Sequence, residues 1–381
     1  MIKIKSNKII LADRLFDGFI YIEDGKIINV TTDDLACSEF YDFTNSYVSA
    51  GFIDLHTHGG GGYAFLTNDS EEVVNACNFH LKNGTTSIMP TLSVDSFEVM
   101  KNSVKSISLA KKSPNLLSNI IGVHLEGPYL SLEQSGAQCP EYITPPIESD
   151  YVSLIEEFGS DIARWTYAPE NDKDGKFAKY LNSKGVLISI GHSSAKDAHI
   201  EKAIENGANL ITHLYSCTST ITRDHGFRSL GIIEMAYLKD ELYVEIIADG
   251  KHLPLDLIKL IVKIKGIDKV ALITDSLEIA GTDIKEGKMG GTEFIVEDGI
   301  CKLKDRSAFA GSVATSNLLI KTLLQCGYSI VDSVKMLTEI PAKIAKLNKG
   351  TIEIGKDADI IVFDDDISVS NVFVNGIKIK Q

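Results

Sequence analysis

Most of the chemistry this sequence can do is carried by a few short polar segments, each closing an apolar run. In GFIDLHTHGG, Asp54, His56 and His58 alternate. Side chains at i, i+2 and i+4 of a strand share a face, so both imidazoles can point into one cleft, as metal ligands must. His124 and Glu126 repeat that spacing, and a carboxylate buried there needs a cation or a donor beside it. His192 follows Gly191 and His213 follows Thr212, again after apolar runs. Taken singly, each fits a hydrogen-bonded core histidine or a buried salt bridge. Taken together, Glu126, His192 and His213 make a His-His-carboxylate set, a recurrent open arrangement for catalytic zinc. Asp275, after Ile273 and Thr274, adds a carboxylate able to take and return a proton, or to cap a helix. The run Gly59 to Gly62 lacks the spacing of a phosphate loop and reads as permissive backbone. Gly311-Ser312 lines a site or caps the helical run after it.

Positioning such groups takes a frame of strands. Eight apolar, β-rich runs are Phe52–Thr57, 86–91, 120–125, 163–168, 186–190, 210–214, 243–248 and 270–274. Helical patterns lie between most of them; Phe97, Met100, Val104 and Ile107 fall on one helix face. Strand–helix alternation implies a parallel sheet, and eight repeats imply a closed (β/α)8 TIM-like barrel, with a doubly wound open sheet as the rival. The chemical groups fall at strand C-terminal ends, where barrel active sites are built. The two chain ends differ from the middle. Residues 2–10, 19–23 and 26–30, and then 350–354, 358–363 and 371–379, read as short strands with turns at Asp24-Gly25 and Asn375-Gly376. The expected organisation is a small β-sandwich domain from residues 1–48 plus 350–381, and a barrel over 49–349.

Composition narrows the function classes. Of 381 residues, 44% are hydrophobic and 24% charged, enough for a packed core. Lys plus Arg is 38 against 52 Asp plus Glu, a net charge of −14, which disfavours nucleic-acid binding. The six cysteines are scattered with no C-x-x-C pair, arguing against a zinc ribbon, redox motif or disulfide scaffold. No run approaches ~20 apolar residues, and no signal peptide is legible, so neither a membrane role nor export is expected. The expected compartment is cytoplasmic.

The segments GFIDLHTHG, VHLEGPYL, GHSSA, THLY, IADGKH, LITD and AGS, in this order, resemble the amidohydrolase superfamily, and within it the N-acetylglucosamine-6-phosphate deacetylase family. The terminal GTIEIGKDADIIVFD resembles the superfamily's small β domain. The resemblance implies that Glu126, His192 and His213 hold a divalent metal, most often zinc, with iron or manganese as alternatives. It implies that Asp275 is the general base and acid. It also implies that His56 and His58 can hold a second ion, giving one or two per subunit. His252 matches a substrate contact, and His124 or His252 would stabilise the oxyanion. The implied reaction releases acetate from an amino-sugar phosphate, in a homodimer whose neighbouring subunit shares the phosphate contact. Several recognition positions depart from the family pattern. Gln138 replaces a histidine, Ser216 and Cys217 follow THLY in place of Asn-Ala, and Asp224 stands for an arginine, with Arg223 and Arg228 as substitutes. These changes keep open a different acylated amine or a cyclic amide as substrate. A degenerate, non-enzymatic barrel is the remaining reading.

Overall fold

The computed structural model describes residues 1–289 and 292–380. Eight parallel strands form the barrel in chain order: Phe52–Thr57, Thr85–Leu92, Val123–Glu126, Ile162–Tyr167, Leu187–Ile190, Leu210–Ile211, Tyr243–Ile247 and Val270–Ile273. Helices Ser70–Lys82, Phe97–Ala110, Glu148–Phe158, Lys176–Ser183, Asp197–Glu205, Ile232–Leu238, Leu255–Lys265 and Ser316–Gln325 each follow one strand. Helix Phe97–Ala110 shows the local logic. The Ser96 hydroxyl caps it by accepting from Val99 N, and Met100, Val104 and Ile107 are buried on one face.

The eighth and first strands close the barrel without a ladder. Near the C-terminal mouth, Asp275 N donates to His56 O at 2.9 Å, and Thr274 Oγ1 to Asp54 Oδ2 at 2.6 Å. Further down, Met336 and Leu337 fill the seam, accepting from Leu272 N and Ile53 N. Asp54 therefore belongs to the seam; burial pushes its carboxyl up to about 7 despite these donors.

Strand alternation separates two environments. Trp165 and Tyr167 face outward into the main core beside Phe177. Arg164 and Thr166 face the interior, hydrogen-bonded to residues of other strands. Trp165 Nε1 also donates to Gly127 O at 2.8 Å, anchoring the chain just after Glu126.

Two expected strands end differently. The third is interrupted at Ile121 and Gly122, where a side chain on Gly122 would meet Ala163 Cβ at 2.6 Å. The sixth stops at Ile211 because His213 takes a positive φ of 27°.

Residues from both chain ends form one eight-stranded sheet. Its order is Ile377–Lys378, Val369–Val374, Ile360–Phe363, Tyr47–Ala50, Ile2–Ile10, Leu15–Glu23, Lys26–Thr31, with Glu39–Asp42 also on Ile2–Ile10. Ile360–Phe363 runs antiparallel to Tyr47–Ala50, joining the two ends of the chain. The expected strand at 350–354 is absent; the segment turns, and Ile352 plugs the core beneath the sheet. Asp359 ties this sheet to the barrel, accepting from Lys349 at 2.6 Å and Asn119 at 2.9 Å. Among the described residues no helix is long and apolar enough to cross a membrane, and the cysteines are free thiols.

Candidate active site

Six side chains converge at the barrel's C-terminal mouth. Glu126 ends the third strand, and its Oε1 lies 3.1 Å from His192 Nε2 and 2.9 Å from His213 Nε2. His192 Nδ1 contacts Gln134 O at 2.8 Å, and His213 Nδ1 contacts Ser216 O at 3.1 Å. A carbonyl oxygen only accepts, so both Nδ1 atoms carry hydrogen. In the neutral rings both Nε2 lone pairs then face the Glu126 carboxylate. Three electron-rich atoms at that spacing repel unless a proton or a cation lies between them. Glu126, His192 and His213 thus fit a divalent ion, with carbonyls fixing the ring orientations.

His56 and His58 join this cluster. Their Nε2 atoms are 3.2 Å apart, and His58 Nε2 lies 3.2 Å from both Glu126 Oε2 and Asp275 Oδ1. His56 Nε2 is 3.4 Å from Glu126 Oε1 and 3.5 Å from Asp275 Oδ1. His56, His58 and Glu126 form a second triad able to hold an ion, as do His56, His213 and Asp275. Buried His56 Nδ1 has no hydrogen-bond partner, while Ser93 Oγ sits 3.0 Å from His58 Nδ1.

Without a cation, ring protons must balance the carboxylates. Burial disfavours a charged His58, but hydrogen bonds to Asp275 and Glu126 raise it to about 10. His192 is raised well above its usual value; burial opposes this, and Cys217 and Glu126 outweigh it. Burial would raise the two acids, yet His56 with His192 holds Glu126 well below the carboxylate range, and His56 with His58 lowers Asp275. Protons on His58 and His192 thus offset the two carboxylates, a role a metal ion would take over. His192, His213 and Asp275 also take positive φ of 47°, 27° and 49°, backbone strain that the surroundings must hold in place.

The cluster floors a cleft of about 310 Å³. Gln138, Ser216, Cys217 and His252 line it, as the recognition motifs suggested. Gln138 is held at both ends: Nε2 donates to Glu126 Oε2 at 2.7 Å, and Oε1 accepts from Val94 N at 2.7 Å. His252 Nδ1 is anchored on Asp249 Oδ2 at 2.8 Å, leaving Nε2 as the nitrogen free for a ligand. One expectation needs correction. His124 is withdrawn from the cleft, because Thr166 and Thr91 occupy Nε2 and Nδ1 at 2.6 and 3.1 Å. Arg223 and Arg228 face each other across an exposed hairpin, and neither lines the cleft of its own chain. Phe309 and Ala308 form cleft wall that sequence reasoning missed, since only apolar type marks them, while Tyr215 and Ala310 belong to the THLY and AGS segments.

A (β/α)8 barrel with histidines and carboxylates converging at its C-terminal mouth defines a class, the metal-dependent barrel hydrolases. Residues 47–378 match the model of the amidohydrolase family. The chain is 30% identical over 374 residues to the N-acetylglucosamine-6-phosphate deacetylase of Bacillus subtilis (strain 168), covering 94% of this chain and 92% of that one. It is 31% identical over 372 residues to the N-acetylgalactosamine-6-phosphate deacetylase of Shewanella sp. (strain ANA-3), covering 95% and 91%. The crystal structure of N-acetylglucosamine-6-phosphate deacetylase from Pasteurella multocida superposes with a TM-score of 0.90 at 29% identity, covering 100% and 99%. This chain belongs to the amidohydrolase family, on the branch that holds these deacetylases.

Proposed function

We propose that the protein is a metal-dependent N-acetylhexosamine-6-phosphate deacetylase, acting on N-acetylglucosamine-6-phosphate to give glucosamine-6-phosphate and acetate. The observation that carries this reading is the Glu126–His192–His213 nest with Asp275 beside it. Glu126, His192 and His213 would hold the ion, with zinc suited to this donor set, and His56 and His58 would hold a second. A divalent ion there supplies Lewis acidity, polarising the acetyl carbonyl and making water a better nucleophile.

The chain's residues do the rest. Asp275 is a carboxylate, so it accepts the proton of the attacking water. It then passes that proton to the amine nitrogen as the C–N bond breaks. Gln138 orients Glu126 through its 2.7 Å bond, and His252 presents Nε2 to the substrate. Ser216 and Cys217 shape the wall.

Among the described cleft-lining residues there is no lysine or arginine to meet a phosphate. Arg223 and Arg228 would therefore serve a neighbouring subunit's cleft, which makes the working unit a homodimer. Free thiols suit a cytoplasmic setting. The same lack of an in-chain cation favours a second reading, an amidohydrolase acting on another acylated amine or a cyclic amide.

Acetate release by zinc-loaded protein decides between them. Turnover of N-acetylglucosamine-6-phosphate well above that of the unphosphorylated sugar supports the proposal. The galactosamine isomer, run in parallel, sets the sugar configuration. No release from any of these, with hydrolysis of a dihydropyrimidine, supports the second reading.

A further inference from the structure

Arg164 and Glu245 lie inside the barrel, fully buried, beneath the ligand cluster and outside any role assigned so far. Arg164 stands on the fourth strand and Glu245 on the seventh. Their contact is bidentate, at 2.5 Å to Oε1 and 2.7 Å to Oε2. The other guanidinium hydrogens go to Ser189 Oγ at 2.9 Å, Leu55 O at 3.1 Å and Thr212 Oγ1 at 2.9 Å. All five donors of the planar fork are used.

The recipients are not scattered. Leu55 precedes His56, Thr212 precedes His213, and Ser189 lies three residues before His192. Leu214 N, just past His213, donates to Glu245 O at 2.8 Å. The Arg164 side chain on Thr212 and the Glu245 backbone on Leu214 therefore hold the chain on both sides of strained His213.

The hydrogen-bond directions continue upward. Ser189 and Thr212, accepting from Arg164, have their own hydrogens free for Thr166 Oγ1 at 2.7 and 3.0 Å. The Thr166 hydrogen then points to His124 Nε2. His124 Nδ1–H donates to Thr91 Oγ1, whose hydrogen goes to Met89 O. His124 shares its strand face with Glu126, and its ring packs edge-on against His56. One guanidinium thus orients a hydroxyl network reaching the strands that carry His56, Glu126, His192 and His213.

We propose that the Arg164–Glu245 pair is a positioning device for the metal centre, setting the ligand geometry from the layer below. This rests on the metal-centre reading of the site and not on the identity of the substrate. Outer partners of metal ligands are typically worth roughly 10–100-fold in affinity or activity.

The test uses the full-length protein, stripped and reloaded with Co2+. Arg164→Met/Glu245→Leu removes both charges together, a change buried pairs often tolerate. Arg164→Lys keeps the charge but lacks the fork. Both variants are expected to fold, to bind Co2+ roughly 10–100-fold more weakly in chelator competition, and to show a shifted ligand-field spectrum. Their kcat should fall while KM holds. Wild-type Co2+ affinity and spectrum in a folded variant overturn the proposal. Loss of the fold in both variants also overturns it, because the pair then acts on stability alone. Wild-type protein that binds Co2+ but releases no acetate sinks the deacetylase reading and leaves this test standing.

Discussion

Asp275 and His80 are both buried, and the partners each one finds decide its charge. Asp275 is a buried acid kept ionised by His56 and His58. Asp275→Asn should lower kcat for acetate release by roughly 10²–10⁴-fold, the usual worth of a general base, with metal content unchanged. Equal loss of metal would make Asp275 a ligand instead. His80 sits behind the glycine run, with Nε2 2.8 Å from Gly59 O and Nδ1 buried without a partner. Charging it would bury an unpaired N–H, and burial depresses it to about 4, well below the usual imidazole value. A depressed histidine contributes stability that is full above its unfolded value and is lost as pH falls through the folded one. Urea unfolding at about pH 7 and about pH 4.5 should show His80→Gln losing roughly 2 kcal/mol less than wild type. Parallel losses would remove His80 from the acid response. His56, His58, Glu126, His192, His213 and Asp275 were legible from residue type and strand-end position. His124 had the same signature, but the two threonine hydroxyls that occupy it come from other strands.

At the scale of elements, the candidate ligands stand at or just past strand ends, and His192, His213 and Asp275 carry strained backbone there. Gly191 shows how little room that leaves. A side chain there would meet Thr212 Cβ at 2.7 Å and Thr166 Cγ2 at 3.0 Å, both on neighbouring strands. Gly191→Ala should destabilise the fold by about 1–3 kcal/mol through overpacking. It should also weaken metal binding, because His192 and Thr212 must move together; denaturation and chelator titration on one preparation check both. Unchanged metal affinity would show that the strand ends adapt independently. The strands themselves were legible, since each is an apolar run bounded by turn residues. Their exact ends were not. The break at Ile121 and Gly122 answers to the close approach of Ala163, and the early stop at Ile211 to the turn of the chain at His213. The 350–354 segment has strand composition, but it is used to bury Ile352 as a plug.

At the scale of the whole molecule, a chain with net charge −14 must gather cations locally to hold an anion. The hairpin Thr222–Asp224 and Phe227–Ser229 displays Arg223 and Arg228 in the open, with Phe227 81% exposed at its tip. Arg223→Ala/Arg228→Ala should raise KM for the phosphorylated sugar by at least about tenfold, as for lost charge-assisted contacts, while sparing the unphosphorylated one. Sedimentation of wild type as a dimer would agree, and a monomer with full phosphate preference would refute the shared site. The barrel, the sheet of both termini and the catalytic residue types follow from periodicity and spacing, which are local properties of the chain. Only tertiary structure decided which nitrogen of each ring meets Glu126, that Gln138 is engaged at both ends, and that Arg164 finds Glu245 81 residues away. Those choices depend on strands meeting across a closed barrel, where a buried polar group settles on whichever partner the opposite wall supplies.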